Sequence, residues 1–142
     1  MKLNVFIGKT DEEKIDIFVN EERQIIEDIK NLLNGETELS GYKDSEIYKL
    51  KFSDIVLFSV ESERLYAYTD KEKYMLKERL YMIEEKMPRH FIKLNQSAIG
   101  NIKYIKKFDC SVSGTLKVTF TNGKSDYVSR RQIKAVRERL GI

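Results

Sequence analysis

Short segments in which apolar and polar residues alternate follow one another along most of this 142-residue chain. Strict alternation predicts half-buried β-strands, and the nearly continuous apolar run from Ile55 to Val60 predicts a buried strand. Asn122-Gly123 marks the tight turn of a hairpin, whereas residues 95–101 are expected to form a polar turn. The pattern predicts a mainly β fold with strands at 46–51, 55–60, 65–69, 73–76, 91–94, 104–110, 116–120 and 124–128.

Short helices accompany the predicted strands. One is expected just before Pro88, with Leu80 and Ile83 on its inner face, because proline ends a helix. Another is expected from about residue 130 to the end of the chain. There Ser129 and Gln132 fit the capping-box pattern, in which two side chains satisfy the first backbone amides of a helix.

The first 41 residues are expected to form a separate unit. Alternation predicts two strands, at residues 3–7 and 15–19. Apolar residues at helical spacing then predict a helix with an inner stripe of Ile25, Ile29 and Leu32. A polar segment with two glycines, Gly35 to Asp44, predicts a boundary. We therefore expect a small ββα extension, residues 1–41, before a domain of residues 42–142.

The composition excludes several classes of site. With one cysteine and one histidine, Cys110 and His90, the chain cannot form an intramolecular disulfide or a cysteine- or histidine-rich metal site. No glycine-rich phosphate loop follows a strand, and no carboxylates stand at a spacing that singles out an acid–base pair. We expect no enzymatic activity, no cofactor and no metal. A cytoplasmic protein is expected, because the start turns acidic too early for a secretory signal and no apolar run is long enough to span a membrane.

Charge is distributed unevenly along the chain. Residues 1–70 carry 9 Lys/Arg and 16 Asp/Glu, a net charge of −7. Residues 71–142 carry 17 Lys/Arg and 7 Asp/Glu, a net charge of +10, so that the whole chain has a net charge of +3. A basic half of this size favours a polyanionic partner, most often nucleic acid. The alternative is a solvated basic face without a partner.

Two polar motifs lie in the basic half. The first is Asn95-Gln96-Ser97, and asparagine and glutamine are the side chains that bond the N6 and N7 edge of adenine bidentately. The second is Ser129-Arg130-Arg131, which places two cations in the first turn of a predicted helix. Cations there oppose the helix dipole, and a nearby anion would offset that cost. The alternative for this motif is two exposed arginines with no partner.

These motifs stand in an order that resembles a known family, the LytTR DNA-binding domain of bacterial transcription regulators. The resemblance covers residues 42–142 and rests on four blocks: D-I-V-L-F-S-V-E at 54–61, Y-M-L-K-E-R-L at 74–80, F-I-K-L-N-Q-S-A-I-G-N-I-K-Y-I at 91–105, and T-N-G followed by V-S-R-R at 121–131. It implies an elongated, mostly antiparallel fold of several packed sheets. It also implies that double-stranded DNA is the partner and that loops, rather than a recognition helix, enter the major groove.

The resemblance further implies three contact segments: the loop after the first core strand, the polar tip, and the start of the last helix. Gln96 and Arg131 are the expected base contacts. Phosphate contacts, which position a protein without specifying sequence, are expected from Arg64, Lys93 and Arg130. The residues expected at the DNA are Glu63, Arg64, Lys93, Asn95, Gln96, Ser97, Ser129, Arg130 and Arg131.

The chain departs from the family pattern at three positions. Asn95 stands where histidine is common, Gly100 where valine is common, and Glu63 where a basic or neutral polar residue is common. Gly100 is expected to loosen the turn before Asn101, and Glu63 is able to accept from a cytosine amino group. For Asn101 we favour a structural role, in which its side chain holds the loop by bonding the backbone.

The residues before residue 42 are too few for the phosphorylated receiver domain that precedes most LytTR domains. The chain therefore resembles the small stand-alone LytTR regulators, in which a membrane-protein regulator encoded nearby is implied as a partner. The apolar stripe of the extension would either cover the β domain or pair two copies in a homodimer. The alternative to a DNA-binding regulator is a protein-interaction module that a membrane protein binds and that binds DNA weakly.

Overall fold

The computed structural model describes residues 15–21, 24–26, 29 and 38–142. From residue 38 onward the chain forms ten strands, two α-helices and two short 3₁₀ turns. The strands are β1 (Glu38–Lys43), β2 (Glu46–Lys51), β3 (Leu57–Glu61), β4 (Arg64–Tyr68), β5 (Lys73–Leu76), β6 (Phe91–Asn95), β7 (Ala98–Asn101), β8 (Ile105–Cys110), β9 (Leu116–Phe120) and β10 (Ser125–Val128). The helices are α1 (Leu80–Lys86) and α2 (Arg130–Leu140), and the 3₁₀ turns are Phe52–Asp54 and Ile102–Tyr104. The prediction of a mainly β fold is confirmed.

All strand pairings between these elements are antiparallel. Seven strands form one sheet in the order β2-β1-β5-β4-β3-β7-β6, and the last three form a second sheet in the order β10-β9-β8. Because β7 pairs with both β3 and β6, the turn between β3 and β4 and the turn between β6 and β7 reach the same end of the large sheet.

The large sheet is the middle layer of the domain, since apolar side chains leave both of its faces and pack under other elements. On one face, α1 covers a cluster in which the Phe52 ring meets the rings of Phe58 and Phe91 edge-on, with centroids 5.8 and 5.5 Å apart. On the other face, the small sheet and α2 cover a second cluster. Its fully buried side chains include Leu94, Val118, Phe120 and Val136.

Gly100 lies in β7 where the two sheets approach each other. A Cβ atom at this position would lie 2.6 Å from Cζ of Phe120 and 3.2 Å from Cδ1 of Leu94. The expectation that Gly100 loosens a turn is wrong, because the residue is in a fully buried strand and its missing side chain gives the Phe120 ring its space.

Replacing Gly100 by alanine should lower the free energy of unfolding by about 1–2 kcal/mol, because the added methyl group overpacks a well-filled core. Urea unfolding measures the change. Phe120→Leu removes the atom that the methyl group meets, so the double variant should be more stable than the sum of the two single changes predicts. Strict additivity of the two single changes would contradict this explanation.

Two segments predicted to be loops are strands. Residues 38–43, predicted as part of a polar boundary, form β1, whose inward-facing residues are Leu39 and Gly41. Since glycine carries no side chain, the alternation that marks a strand is invisible there. Residues 98–101, predicted as part of a polar turn, form β7. Both of its faces are covered, so all four residues are buried and nothing alternates.

The predictions for the first 41 residues are tested only in part. The expected strand at 3–7 lies outside the described residues. Residues 15–19 form no strand, and all five are exposed, including the three whose side chains alternation predicts to be buried. Residues 24–26 and 29 are helical as expected, although Ile26 rather than Ile25 is buried (8% against 44% exposed). The predicted division at residues 41 and 42 falls inside β1 and stays a prediction.

Candidate nucleic-acid interface

Two backbone hydrogen bonds bring the three expected contact segments to one end of the large sheet. The amide of Val60 donates to the carbonyl of Ser97 at 2.8 Å, which joins the end of β3 to the turn between β6 and β7. The amide of Ser129 donates to the carbonyl of Leu94 at 2.9 Å, which joins the start of α2 to the end of β6. Segments that are more than 30 residues apart in the sequence therefore form one continuous edge.

The turn between β3 and β4 contains two residues, Ser62 and Glu63, with φ angles of 49° and 65°. Positive φ at both central residues is the geometry that matches the twist of a two-residue hairpin. The side chains of Ser62, Glu63 and Arg64 are exposed at the tip, and Nη1 of Arg64 lies 3.2 Å from Sδ of Met75 on β5. The turn therefore has the backbone geometry of a two-residue hairpin, although neither of its residues is glycine.

Replacing Glu63 by glycine should raise the free energy of unfolding by about 0.5–1 kcal/mol, because glycine adopts positive φ without the clash that Cβ causes. Urea unfolding measures the difference. Glu46→Gly is the control. Glu46 is also an exposed glutamate beside a hairpin turn, but it has ordinary strand geometry and accepts from the Tyr48 hydroxyl at 2.6 Å, so this variant should lose stability. A loss of stability at both positions would contradict the prediction.

Behind this turn, Glu61 is held by two partners that the sequence analysis did not single out. Nζ of Lys73 lies 2.7 Å from Oε2 of Glu61, and the hydroxyl of Tyr68 donates to Oε1. Burial alone would raise the pKa of the Glu61 carboxyl, but the hydrogen bonds from Lys73 and Tyr68 outweigh burial and bring this pKa below its ordinary value. The ionised Glu61 carboxylate with its two partners therefore stabilises the fold when the pH is above the ordinary carboxyl pKa. This contribution disappears as the pH falls through the lowered pKa of Glu61.

The polar tip between β6 and β7 is organised by Asn95. Its Oδ1 accepts from the amide of Ser97 at 2.8 Å, while its Nδ2 donates to Oδ1 of Asp126 at 3.0 Å and to the carbonyl of Tyr127 at 2.7 Å. The β6–β7 register shifts between Lys93 and Asn95, which turns Asn95 toward β10. Gln96 and Ser97 are exposed. Within the tip, the Asn95 side chain is thus occupied, whereas the Gln96 side chain is exposed and has no hydrogen-bond partner in the described part of the chain.

The start of α2 presents two arginines. Arg130 and Arg131 are exposed, and within the described part of the chain neither forms an ion pair. Ser129 occupies the cap position, but its side chain makes no capping hydrogen bond, so the capping-box prediction is wrong. The amides of Gln132 and Ile133 instead donate to the carbonyl of Ser129, which the bond to Leu94 already fixes in place.

Lys93 does not join the other expected contact residues. It lies on β6 two residues after Phe91, on the face of the sheet that α1 covers, and its Nζ is 3.2 Å from Oε2 of Glu84 on α1. The glutamate neutralises the lysine locally, and a phosphate would have to compete with it.

Asn101 has the structural role expected from the sequence. Its side chain is fully buried; Nδ2 donates to the carbonyl of Ile55 at 2.8 Å, and Oδ1 accepts from the amide of Lys103 at 3.0 Å. These bonds join the end of β7 to the segment before β3 and to the 3₁₀ turn that follows β7.

The described residues were also compared with the requirements of a metal site and of a membrane-spanning helix. Among them, no three histidine, cysteine or carboxylate side chains gather closely enough to hold a metal ion. In the described part of the chain, no helix has the length and apolar character needed to cross a membrane.

Comparisons with known proteins agree on one family. The sequence model of the LytTr DNA-binding domain matches residues 45–141. A Staphylococcus aureus (strain MSSA476) protein described as an uncharacterized HTH-type transcriptional regulator is 38% identical over 146 residues, which span 100% of this chain and 99% of the relative. Its counterpart in strain NCTC 8325 / PS 47 is 37% identical with the same coverage.

A solved structure shares the fold. It is the LytTr DNA-binding domain of a Bacillus cereus protein described as a methyl-accepting/DNA response regulator, with a TM-score of 0.71 and 21% identity, covering 76% of this chain and 100% of that chain. The relatives' designation as helix-turn-helix type does not describe the fold seen here. Strands β6–β10 separate α1 from α2, so residues 38–142 contain no helix-turn-helix unit.

Proposed function

The chain belongs to the LytTR family of DNA-binding domains, and from this premise we propose that it is a sequence-specific DNA-binding transcription regulator that reads the major groove through loops. The relatives described as transcriptional regulators, which the chain matches over its whole length, support the regulatory part of the proposal.

The observation that carries the proposal is the shared edge of the sheet. The turn between β3 and β4, the tip between β6 and β7, and the start of α2 are joined there by backbone hydrogen bonds. The exposed ends of this edge carry Gln96, Arg130 and Arg131, and the two arginines make no ion pair with any described residue. Exposed amide and guanidinium groups are the groups that bond base edges and phosphates.

We assign the roles as follows. Gln96 and Arg131 contact bases, whereas Arg64 and Arg130 contact phosphates. Ser97, Ser129 and Glu63 line the same edge. Lys93 contributes to phosphate binding only after its ion pair with Glu84 opens. Asn95 positions the tip, because its amide group is engaged by Ser97, Asp126 and Tyr127.

Fluorescence anisotropy with labelled DNA from upstream of the protein's own gene tests the proposal. Scrambled DNA of equal length is the control, and both are measured at two salt concentrations. We expect a preference of more than about a hundredfold for the upstream DNA. Affinity for both DNAs should fall with salt, because arginine and lysine contacts release counterions from phosphates. Equal weak binding to both DNAs in every upstream fragment would overturn the proposal.

A second candidate function is a protein-interaction module. It is favoured by the exposed apolar side chains of residues 15–19, among which Phe18 is 93% exposed and Ile15 63% exposed. Such residues fit either a second copy of the chain in a homodimer or a membrane-protein regulator. Deleting residues 1–37, which leaves β1 whole, separates the functions. A DNA-binding regulator keeps its affinity for a single DNA half-site, whereas an interaction module loses its main activity.

A further inference from the structure

Asp126 on β10 connects two expected contact segments that are distant in the sequence. Its Oδ1 accepts from Nδ2 of Asn95 at 3.0 Å and from the backbone amide of Tyr127 at 2.8 Å. The same Nδ2 donates to the carbonyl of Tyr127 at 2.7 Å. These bonds tie the end of β6 to β10, the strand that precedes α2.

The other end of the Asn95 amide shapes the tip. Oδ1 of Asn95 accepts from the amide of Ser97, so the Asn95 side chain closes a turn that has Gln96 at its centre. Asp126 therefore fixes the orientation of the Asn95 amide, and that amide fixes the backbone on both sides of Gln96.

A carboxylate at this place is otherwise unfavourable. Asp126 stands four residues before Arg130, on an edge expected to face phosphates, and like charges repel. It is half-buried and has two hydrogen-bond donors directed at it, so it is not a freely solvated surface charge. The two hydrogen bonds that Asp126 accepts explain why an acidic residue stands at this basic edge.

We propose that Asp126 is a positioning residue for base recognition, holding Asn95, and through it Gln96, in register with the start of α2. This rests on the DNA-binding function proposed above. Removal of an acidic residue would ordinarily tighten binding to all DNA. A positioning role instead predicts that the preference for the specific sequence falls, although the repulsion of phosphates is relieved.

Three variants separate charge from position. Asp126→Asn removes the charge but keeps an acceptor oxygen for Nδ2 of Asn95. Asp126→Ala removes both. Asp109→Asn is the matched control, because Asp109 is an exposed carboxylate on β8 in the same basic half of the chain. Anisotropy with upstream and scrambled DNA at one salt concentration gives the ratio of the two affinities for each variant, and thermal unfolding confirms that each variant is folded.

We expect Asp126→Ala to lower the ratio by about tenfold, the scale of one lost base contact, while its affinity for scrambled DNA stays the same or rises. Asp126→Asn should retain the wild-type ratio, and Asp109→Asn should leave it unchanged. If Asp126→Ala unfolds at the assay temperature, Asp126→Ser is judged by the same ratio.

An Asp126→Ala ratio equal to that of Asp109→Asn would overturn the positioning role and leave the regulator function intact. An equal fall in the ratio for Asp126→Asn and Asp126→Ala would also overturn it, because charge alone would then explain the effect. If wild-type protein does not distinguish the two DNAs, the proposed function itself fails, which is a different outcome from either of these.

Discussion

Replacing Arg131 by alanine should weaken binding to the specific DNA by about 5- to 150-fold, or about 1–3 kcal/mol, and should affect scrambled DNA much less. The side chain is exposed in the first turn of α2 and has no ion-pair partner among the described residues, so its loss should leave the fold unchanged. A loss of affinity would therefore reflect the loss of a contact with DNA and not a change in the fold. Anisotropy titrations with single-base-pair variants of the specific DNA would identify the base pair at which discrimination relaxes.

Two further variants test the Arg131 assignment. Arg139→Ala removes an equal, exposed charge from the last turn of the same helix and should have a small effect on both DNAs. Arg131→Lys keeps the charge but loses the planar fork that bonds guanine at two atoms, so it should resemble Arg131→Ala at the specific site. An equal loss on specific and scrambled DNA in Arg131→Ala would instead identify a phosphate contact.

Replacing Asn101 by alanine should lower the free energy of unfolding by about 2–4 kcal/mol. The change leaves the carbonyl of Ile55 without its donor and the amide of Lys103 without its acceptor, at a position where the asparagine is 0% exposed. Buried polar groups that lose their partners cost more than exposed ones, because water cannot replace the bond. Urea unfolding with unchanged m-values measures the loss.

Asn122 is a matched control for Asn101. Its Nδ2 also donates to a distant carbonyl, that of Thr69 at 3.2 Å, and its Oδ1 also accepts from the amide two residues on, that of Lys124 at 3.0 Å. Asn122 lies at the partly exposed β9–β10 hairpin, where water can take over both bonds. Asn122→Ala should therefore cost about 1 kcal/mol or less. Equal costs at the two positions would contradict the role of burial.

Several strands are predicted from the sequence to within one or two residues, and β2, β5 and β9 match their predicted bounds. β9 follows the alternating pattern because it buries every second residue. In β2 only Leu50 is buried, and Ile47 and Tyr48 are exposed. The pattern fails where tertiary structure changes what is buried. In β1 a glycine takes an inner position, and in β7 both faces are covered, so small and polar residues resemble a turn.

The residues of the candidate interface likewise fall into two groups, those whose role could be predicted from the sequence and those whose role could not. Gln96, Arg130 and Arg131 could be named from the sequence, because amide and guanidinium groups in polar segments of a basic half are the chemistry of base and phosphate contacts. The contacts of Asp126 and Glu61 could not be predicted, because Asn95 lies 31 residues from Asp126 and Lys73 lies 12 residues from Glu61.

The sequence by itself determined the strands with an alternating face and the helices near residues 80 and 130, because these properties are set by neighbouring residues. It also supplied the polar segments that we propose as DNA contacts. Only the tertiary structure decided which polar groups are free. It directed Asn95 to Asp126 and Lys93 to Glu84, and it left Arg130 and Arg131 exposed at the edge. A polar side chain binds whatever the folded chain brings within hydrogen-bond distance, and that distance is fixed by sheet register rather than by position in the sequence.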